Sequence, residues 1–265
     1  MSITLEDIAA IGDALFGIPK ANATFYGDKA KSADQEKLRD AKIMEGLGKH
    51  RDEIWKQTGW GRDESGQWMW EKSDKGLALD IDAIRGATAI PAFASEISNH
   101  SYADEYPANS IGVRSMDLKP GLLGQIGDLG TLKDMQMNSN NSDSKMRETF
   151  LHEMQHAADM EQGGYGKATP PEWIPEEAHG QVRDATYKNQ LNEVRARSTS
   201  ARADLDEYQR RNNPPWYDRD VQNIIEPNRE MTMLDIINAS ADVDREVYER
   251  QMRKFNEIPQ SIRRL

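Results

Sequence analysis

Five consecutive residues have the types and spacing to do chemistry: His152-Glu153-Met154-Gln155-His156, the pattern H-E-x-x-H. Four positions is a little over one helical turn, so the two imidazoles leave one face and can hold a single metal ion. Glu153 projects beside them, placed to take a proton from a water that the metal has made acidic. The chain has no cysteine, which excludes thiolate zinc sites, disulfides and a cysteine nucleophile. The nitrogen and carboxylate donors that remain suit zinc. A catalytic zinc takes three protein ligands plus water, so a third ligand must come from elsewhere in the chain.

Two ways of supplying it can be weighed. The elongated pattern H-E-x-x-H-x-x-G-x-x-H would need glycine where Asp159 stands and histidine where Gln162 stands, so it fails. A carboxylate on a second helix is the other common solution. Glu193, 37 residues after His156, is placed to serve, with His179 as the competing candidate. Asp159 either accepts a ring N–H and fixes a histidine tautomer or is a surface carboxylate. Tyr165, His179, Tyr187 and Arg197 are the candidate donors to a developing oxyanion. His50 and His100 read as surface or packing residues.

The elements that must position these groups are largely helical. The polar loop 138–144 is rich in N-cap residues and launches a helix from about 145 to 162, stopped at Gly163-Gly164. A proline-bearing loop leads to a second long helix, from about 181 to 211. Upstream, residues 1–57 read as helical. Thr4 precedes the spaced Leu5, Ile8, Ile11 and Leu15, and Ser32 with Gln35 forms a capping-box signature opening a long polar helix with Leu38, Ala41, Met44, Leu47 and Ile54. Residues 67–71, 109–118 and 134–138 read as strands, 81–90 is ambiguous, and helix returns from about 230 to 255. The strand at 134–138 either edges the cleft and pairs with an extended peptide or completes the sheet.

Composition narrows the function classes. Charged residues make up 30% of the 265 and the net charge is −11, which argues against a nucleic-acid partner. The locally basic stretch Arg195 to Arg211 is diluted by Asp204, Asp206 and Glu207 and reads as the solvated face of a helix. No apolar run approaches the roughly 20 residues that cross a bilayer. The first residues lack the charge and cleavage pattern of a signal peptide, so no classical secretion is expected.

Several motifs together resemble the zincin-like metallopeptidase domain of large polyvalent proteins from phages and conjugative elements. The similar residues are Thr58-Gly59-Trp60, Ser65-Gly66-Gln67-Trp68-Met69-Trp70-Glu71, Tyr106-Pro107 before a strand, the H-E-x-Q-H helix, and Tyr187 with Asn192-Glu193-Val194-Arg195-Ala196-Arg197. The resemblance spans roughly residues 55–225, and its two helical motifs are the specific ones. It implies an α+β fold: a small twisted sheet, an active-site helix and a second ligand-bearing helix over 58–225, with helical additions at 1–57 and 226–265. It further implies that Glu193 joins His152 and His156 on one Zn2+, that Glu153 is the general base, and that the substrate is a peptide or protein. The expected location is the virion or host cytoplasm. Asn192 and Arg195 depart from the family's glycine and second glutamate. A competing expectation is a structural or ejection component of a virion, in a homo-oligomer or virion assembly, with a vestigial or auxiliary zincin core. A cell-wall peptidase ranks last, since nothing resembles a wall-binding repeat.

Overall fold

The computed structural model describes residues 23–73, 77–163, 169–202, 205–217, 230–232 and 235–236. The expected helix after Thr4, most of the expected C-terminal helix and Tyr165 lie outside the described residues. Strands β1 (Ala23–Tyr26), β2 (Trp60–Arg62) and β3 (Trp68–Ser73) form an antiparallel sheet in the order β1-β3-β2. The helical reading of residues 1–57 gives way at β1. Thr24, Phe25 and Tyr26 are β-branched or aromatic and buried in succession, so the strand has no polar face to betray it by alternation.

Against this sheet pack α1 (Gln35–Gly46) and α2 (Arg51–Thr58), where one long helix was expected. The chain breaks at Gly48, whose φ of 74° is left-handed, and His50 caps the second piece. Asp34, not Ser32, caps α1 by accepting the Lys37 amide at 2.9 Å. Ser32 is taken instead by Glu105, which accepts both its amide and its hydroxyl. Leu38, Ala41, Ile54 and Trp60 share a core, whereas Leu47 at the break is exposed.

The second sheet follows α3 (Ile81–Gly86), which settles the ambiguous stretch as helix. It comprises β4 (Ala92–Phe93), β5 (Ser110–Met116), β6 (Gly124–Asp128) and β7 (Leu132–Asn138), in the order β4-β5-β7-β6. The short helices α4 (Ala94–Ile97) and α5 (Tyr102–Glu105) lie between β4 and β5 in the chain. Strands β5 and β7 run parallel, and the outer pairs are antiparallel. The strand expected at 134–138 is therefore interior, paired on both sides, and cannot edge a cleft. Among the described residues the sheet's edges are the two-residue β4 and β6, the latter a strand that its two glycines and its polar residues hide from propensity reading. The Asn138 amide donates to the Leu123 carbonyl and the Leu129 amide to Leu132. By the alternation of an antiparallel ladder, Gly124, Ile126 and Asp128 turn their peptide groups to the open side.

Helix α6 (Asp143–Glu161) crosses this sheet and also touches β1. Ser142 caps it through the Lys145 amide, and Gly163, at φ 113°, follows its end. Its apolar side, Met146, Phe150, Met154 and Ala157, closes on Ile111, Val113, Met135 and Met137. At the end of α6, Glu161 pairs with the buried Lys133 of β7 and accepts from Tyr102 and Asn109 at 2.9 and 2.7 Å. Beyond it the single helix expected to 211 is three: α7 (His179–Thr186), α8 (Leu191–Ala201) and α9 (Glu207–Asn212). Gln190, at ψ 140°, is extended and separates the first two, and an Asp206–Gln209 capping box starts α9 afresh. The architecture is mixed α+β, with two small sheets and several helices. Among the described residues no helix is long and apolar enough to cross a membrane.

The basic stretch after Arg195 is not a solvated face. Arg202 is 1% exposed and forks onto both oxygens of Glu71 in β3 at 2.9 and 2.8 Å. Removing one partner leaves a buried charge unmatched, which costs about 3–5 kcal/mol, whereas an apolar pair of similar volume is near neutral. Urea unfolding of Glu71→Ala should show that loss. The double variant Glu71→Leu, Arg202→Met should recover most of it, and an equal loss in both would contradict this account.

Candidate metal centre

Helix α6 presents His152, Glu153 and His156 where it passes α8, and α8 carries Glu193 in its first turn. That position suits a carboxylate, because the positive end of the helix dipole lies there. The His152 and His156 Nε2 atoms are 3.1 Å apart, with the rings nearly perpendicular at 88°. Glu193 meets each histidine with a different oxygen, Oε2 to His152 and Oε1 to His156, both at 3.2 Å. Among the described residues these three form the one cluster of donors that could hold a metal, all within 4.8 Å of one another.

The spacing can be tested against an ion. Tetrahedral zinc with bonds of about 2.0–2.1 Å places neighbouring ligand atoms about 3.3 Å apart. The observed 3.1 and 3.2 Å fall close to that value. The donor set also fits, with two imidazole nitrogens and one carboxylate.

Electrostatics separate the two glutamates. Burial opposes ionisation of Glu193, but hydrogen bonds from His152 and His156, the His156 charge and the Tyr187 hydroxyl outweigh it and hold its pKa at about 2. Glu153 has no such bonds, so burial pushes its carboxyl up, against the pull of the two histidines. His156 is pushed up too. Its burial works the other way, and the hydrogen bond and charge of Glu193 prevail. The cluster therefore keeps one carboxylate firmly anionic beside a second whose proton affinity is raised, the division that acid–base chemistry needs.

The remaining candidates are distributed unevenly. Tyr187 is 47% exposed, yet its hydroxyl donates to Glu193, and burial with that charge pushes its pKa up. The break at residues 187–190 brings this hydroxyl back over the first turn of α8. Arg197 donates to the Lys188 carbonyl, and its charge partly opposes the upward shift of Tyr187. His179 bonds the Ile174 carbonyl at 2.9 Å and is not in the donor cluster. His100 is a packing residue, buried between Thr24 and Phe150, and His50 caps α2. Asp159 is no surface carboxylate. It is 3% exposed, its Oδ1 accepts from Gln155 and Arg195 at 3.0 Å each, and Oδ2 has no partner.

Sequence reading missed the groups that hold the two helices together. Arg195, Thr199 and Arg202 follow the i, i+4, i+7 rule of a buried helical stripe, but with polar residues. Arg195 bridges Asp159 of α6 and Asp63, beside β2. Thr199 donates to Gln155 Oε1 at 2.9 Å. The Gln155 amide also pairs with the backbone of Phe25, accepting its N–H at 2.9 Å and donating to its carbonyl at 3.0 Å. Glutamine at that place in H-E-x-Q-H thus completes the edge of β1. The usable signal was the polar periodicity itself.

Comparison with known proteins bears on the first sheet. The family model described as Large polyvalent protein associated domain 23 matches residues 23–80. The match supports association with large polyvalent proteins. It covers β1 to β3 with α1 and α2, and it stops short of the helix bearing His152 and His156. It overlaps the resemblance to a metallopeptidase domain only at that resemblance's start. No curated protein and no solved structure matches the chain.

Strand β6 lies against the centre because Gly124 has no side chain. A Cβ there would come within 2.5 Å of Thr149 Cγ2, 3.2 Å of the Gln136 carbonyl and 3.4 Å of Glu153 Oε1. Gly124→Ala should therefore destabilise the protein by about 1–3 kcal/mol. Adding Thr149→Ser deletes the clashing methyl and keeps the hydroxyl bond to Lys145, so the double variant should melt above Gly124→Ala alone. Strict additivity in thermal melts would contradict this contact.

Proposed function

We propose that the chain is a zinc-dependent peptidase. One observation carries the reading: His152, His156 and Glu193 converge within 4.8 Å, with Glu153 buried beside them on the same helix. Zinc held there supplies Lewis acidity, polarising a peptide carbonyl and lowering the pKa of water towards about 7. Glu153 accepts a proton from the attacking water and returns it to the departing amine nitrogen. The C–N bond breaks and one water is added across it. Glu193 stays ionised throughout, and Arg195, two residues on, holds its helix against α6.

The tyrosine completes the constellation. Among the described candidates, Tyr187 is the one whose hydroxyl reaches the donor cluster, so it is assigned as donor to the oxyanion, its one O–H turning from Glu193 to do so. The substrate class follows from β6, whose outward peptide groups begin at Gly124, beside Glu153. An extended peptide adding to that edge as a fifth strand would bring its backbone past the general base. The family match, over residues 23–80, supports an association with large polyvalent proteins and does not include the donor residues. The core is read as zincin-like on the same grounds, the paired histidines and the helix-borne glutamate.

Purified protein should hold one zinc per chain, lost in His156→Ala and under chelation. On a pool of candidate protein substrates, Glu153→Gln should keep its zinc and lose about 10²–10⁴-fold in turnover. Tyr187→Phe should lose about 10²–10³-fold in kcat with little change in KM. Identical cleavage by wild type and Glu153→Gln would sink the general-base assignment. Zinc binding with no cleavage at all would favour the virion structural reading instead.

A further inference from the structure

A cavity of about 290 Å³ opens between β3, the start of α1 and α9, away from the donor cluster's own residues. Its walls include Trp60 and Trp70, whose ring centroids are 6.1 Å apart, and Arg210 of α9. Arg210 is only 9% exposed. Its Nη1 is shut off from solvent with no hydrogen-bond partner, and no carboxylate pairs with its guanidinium among the described residues.

The other charges around the cavity are already matched. Glu71 is held by Arg202, and Lys72 by the buried Glu105. Lys37 faces Asp34 and Arg211 faces Glu207, each at 3.8 Å. Arg210 alone is left over, and the main chain that carries it is anchored, its carbonyl accepting the buried Trp55 indole N–H at 2.9 Å. A buried guanidinium without an anion is strongly disfavoured, and arginine is the side chain whose planar fork fits carboxylate and phosphate oxygens. The wall beside it is aromatic and its volume suits a small ring-bearing molecule.

We infer that this cavity is an oxyanion-binding site. The Arg210 fork receives a carboxylate or phosphate group, and the tryptophans take the apolar body that carries it. Most of the wall comes from the stretch that matches the large polyvalent protein domain, which gives that module a ligand-binding role separate from the metal centre.

The test uses the full chain and no peptidase assay. Melting temperature and calorimetric binding are measured with inorganic phosphate, phenyl phosphate and benzoate at millimolar concentration. A rise of several degrees with at least one probe is expected. A response to both phosphates assigns phosphate as the anion, and a response to benzoate alone assigns a carboxylate. Arg210→Met should abolish the rise while melting, without probe, no lower than wild type, since it removes an unpaired buried charge. Should that variant fail to fold, Lys37→Glu at the half-exposed rim should weaken binding several-fold, with the fold intact. Silence with all three probes overturns the proposal, as does binding that is unchanged in the variants.

Discussion

The interaction on which the centre depends is the buried guanidinium of Arg195, held between Asp159 of α6 and Asp63 beside β2. It lies two residues from Glu193, so its placement fixes where α8 runs and hence where the Glu193 carboxylate arrives. A buried cation with two carboxylate partners tolerates little displacement, because any slip strands charge in a low-dielectric interior. Gln155 adds to the constraint from the opposite helix, engaging Phe25, Asp159 and Thr199 at once. The two histidines meet a carboxylate at 3.2 Å because a polar network, rather than an apolar seam, sets the spacing of α6 and α8.

That network also explains why two small sheets are needed. The four-stranded sheet supplies the apolar bed on which α6 lies, through methionines and aliphatic side chains of β5 and β7. The three-stranded sheet supplies polar anchors for the far side: Phe25 backbone for Gln155, Asp63 for Arg195 and Glu71 for Arg202. Every anchor lies within residues 23–80, the stretch that matches a family model. The module that carries the family likeness and the helices that carry the candidate chemistry are thus fastened together by buried ion pairs.

Much of the geometry of the candidate centre was legible before any fold was known. The spacing of His152 and His156 placed two imidazoles on one face, and helix α6 runs within two residues of its expected ends. Less legible were elements without an apolar rhythm. Strand β1 is buried on both faces, β6 is mostly glycine and polar residues, and the breaks at Gly48 and Gln190 fall inside stretches read as single helices. The buried stripe Arg195, Thr199, Arg202 looked like a solvated face because single-chain periodicity weighs apolar residues and cannot see carboxylates arriving from 131 and 132 positions away.

By itself, then, the sequence determined which groups could bind a metal and that two of them share a helical turn, since helical geometry is local. It also excluded thiolate chemistry, for want of any cysteine. Tertiary structure decided the rest: which carboxylate faces the histidines, that the Tyr187 hydroxyl bonds it, and that β6 lies at a sheet edge beside Glu153. Those outcomes turn on contacts between residues far apart in the chain, and they exist only once burial makes each unpaired charge or peptide group too costly to leave unmatched.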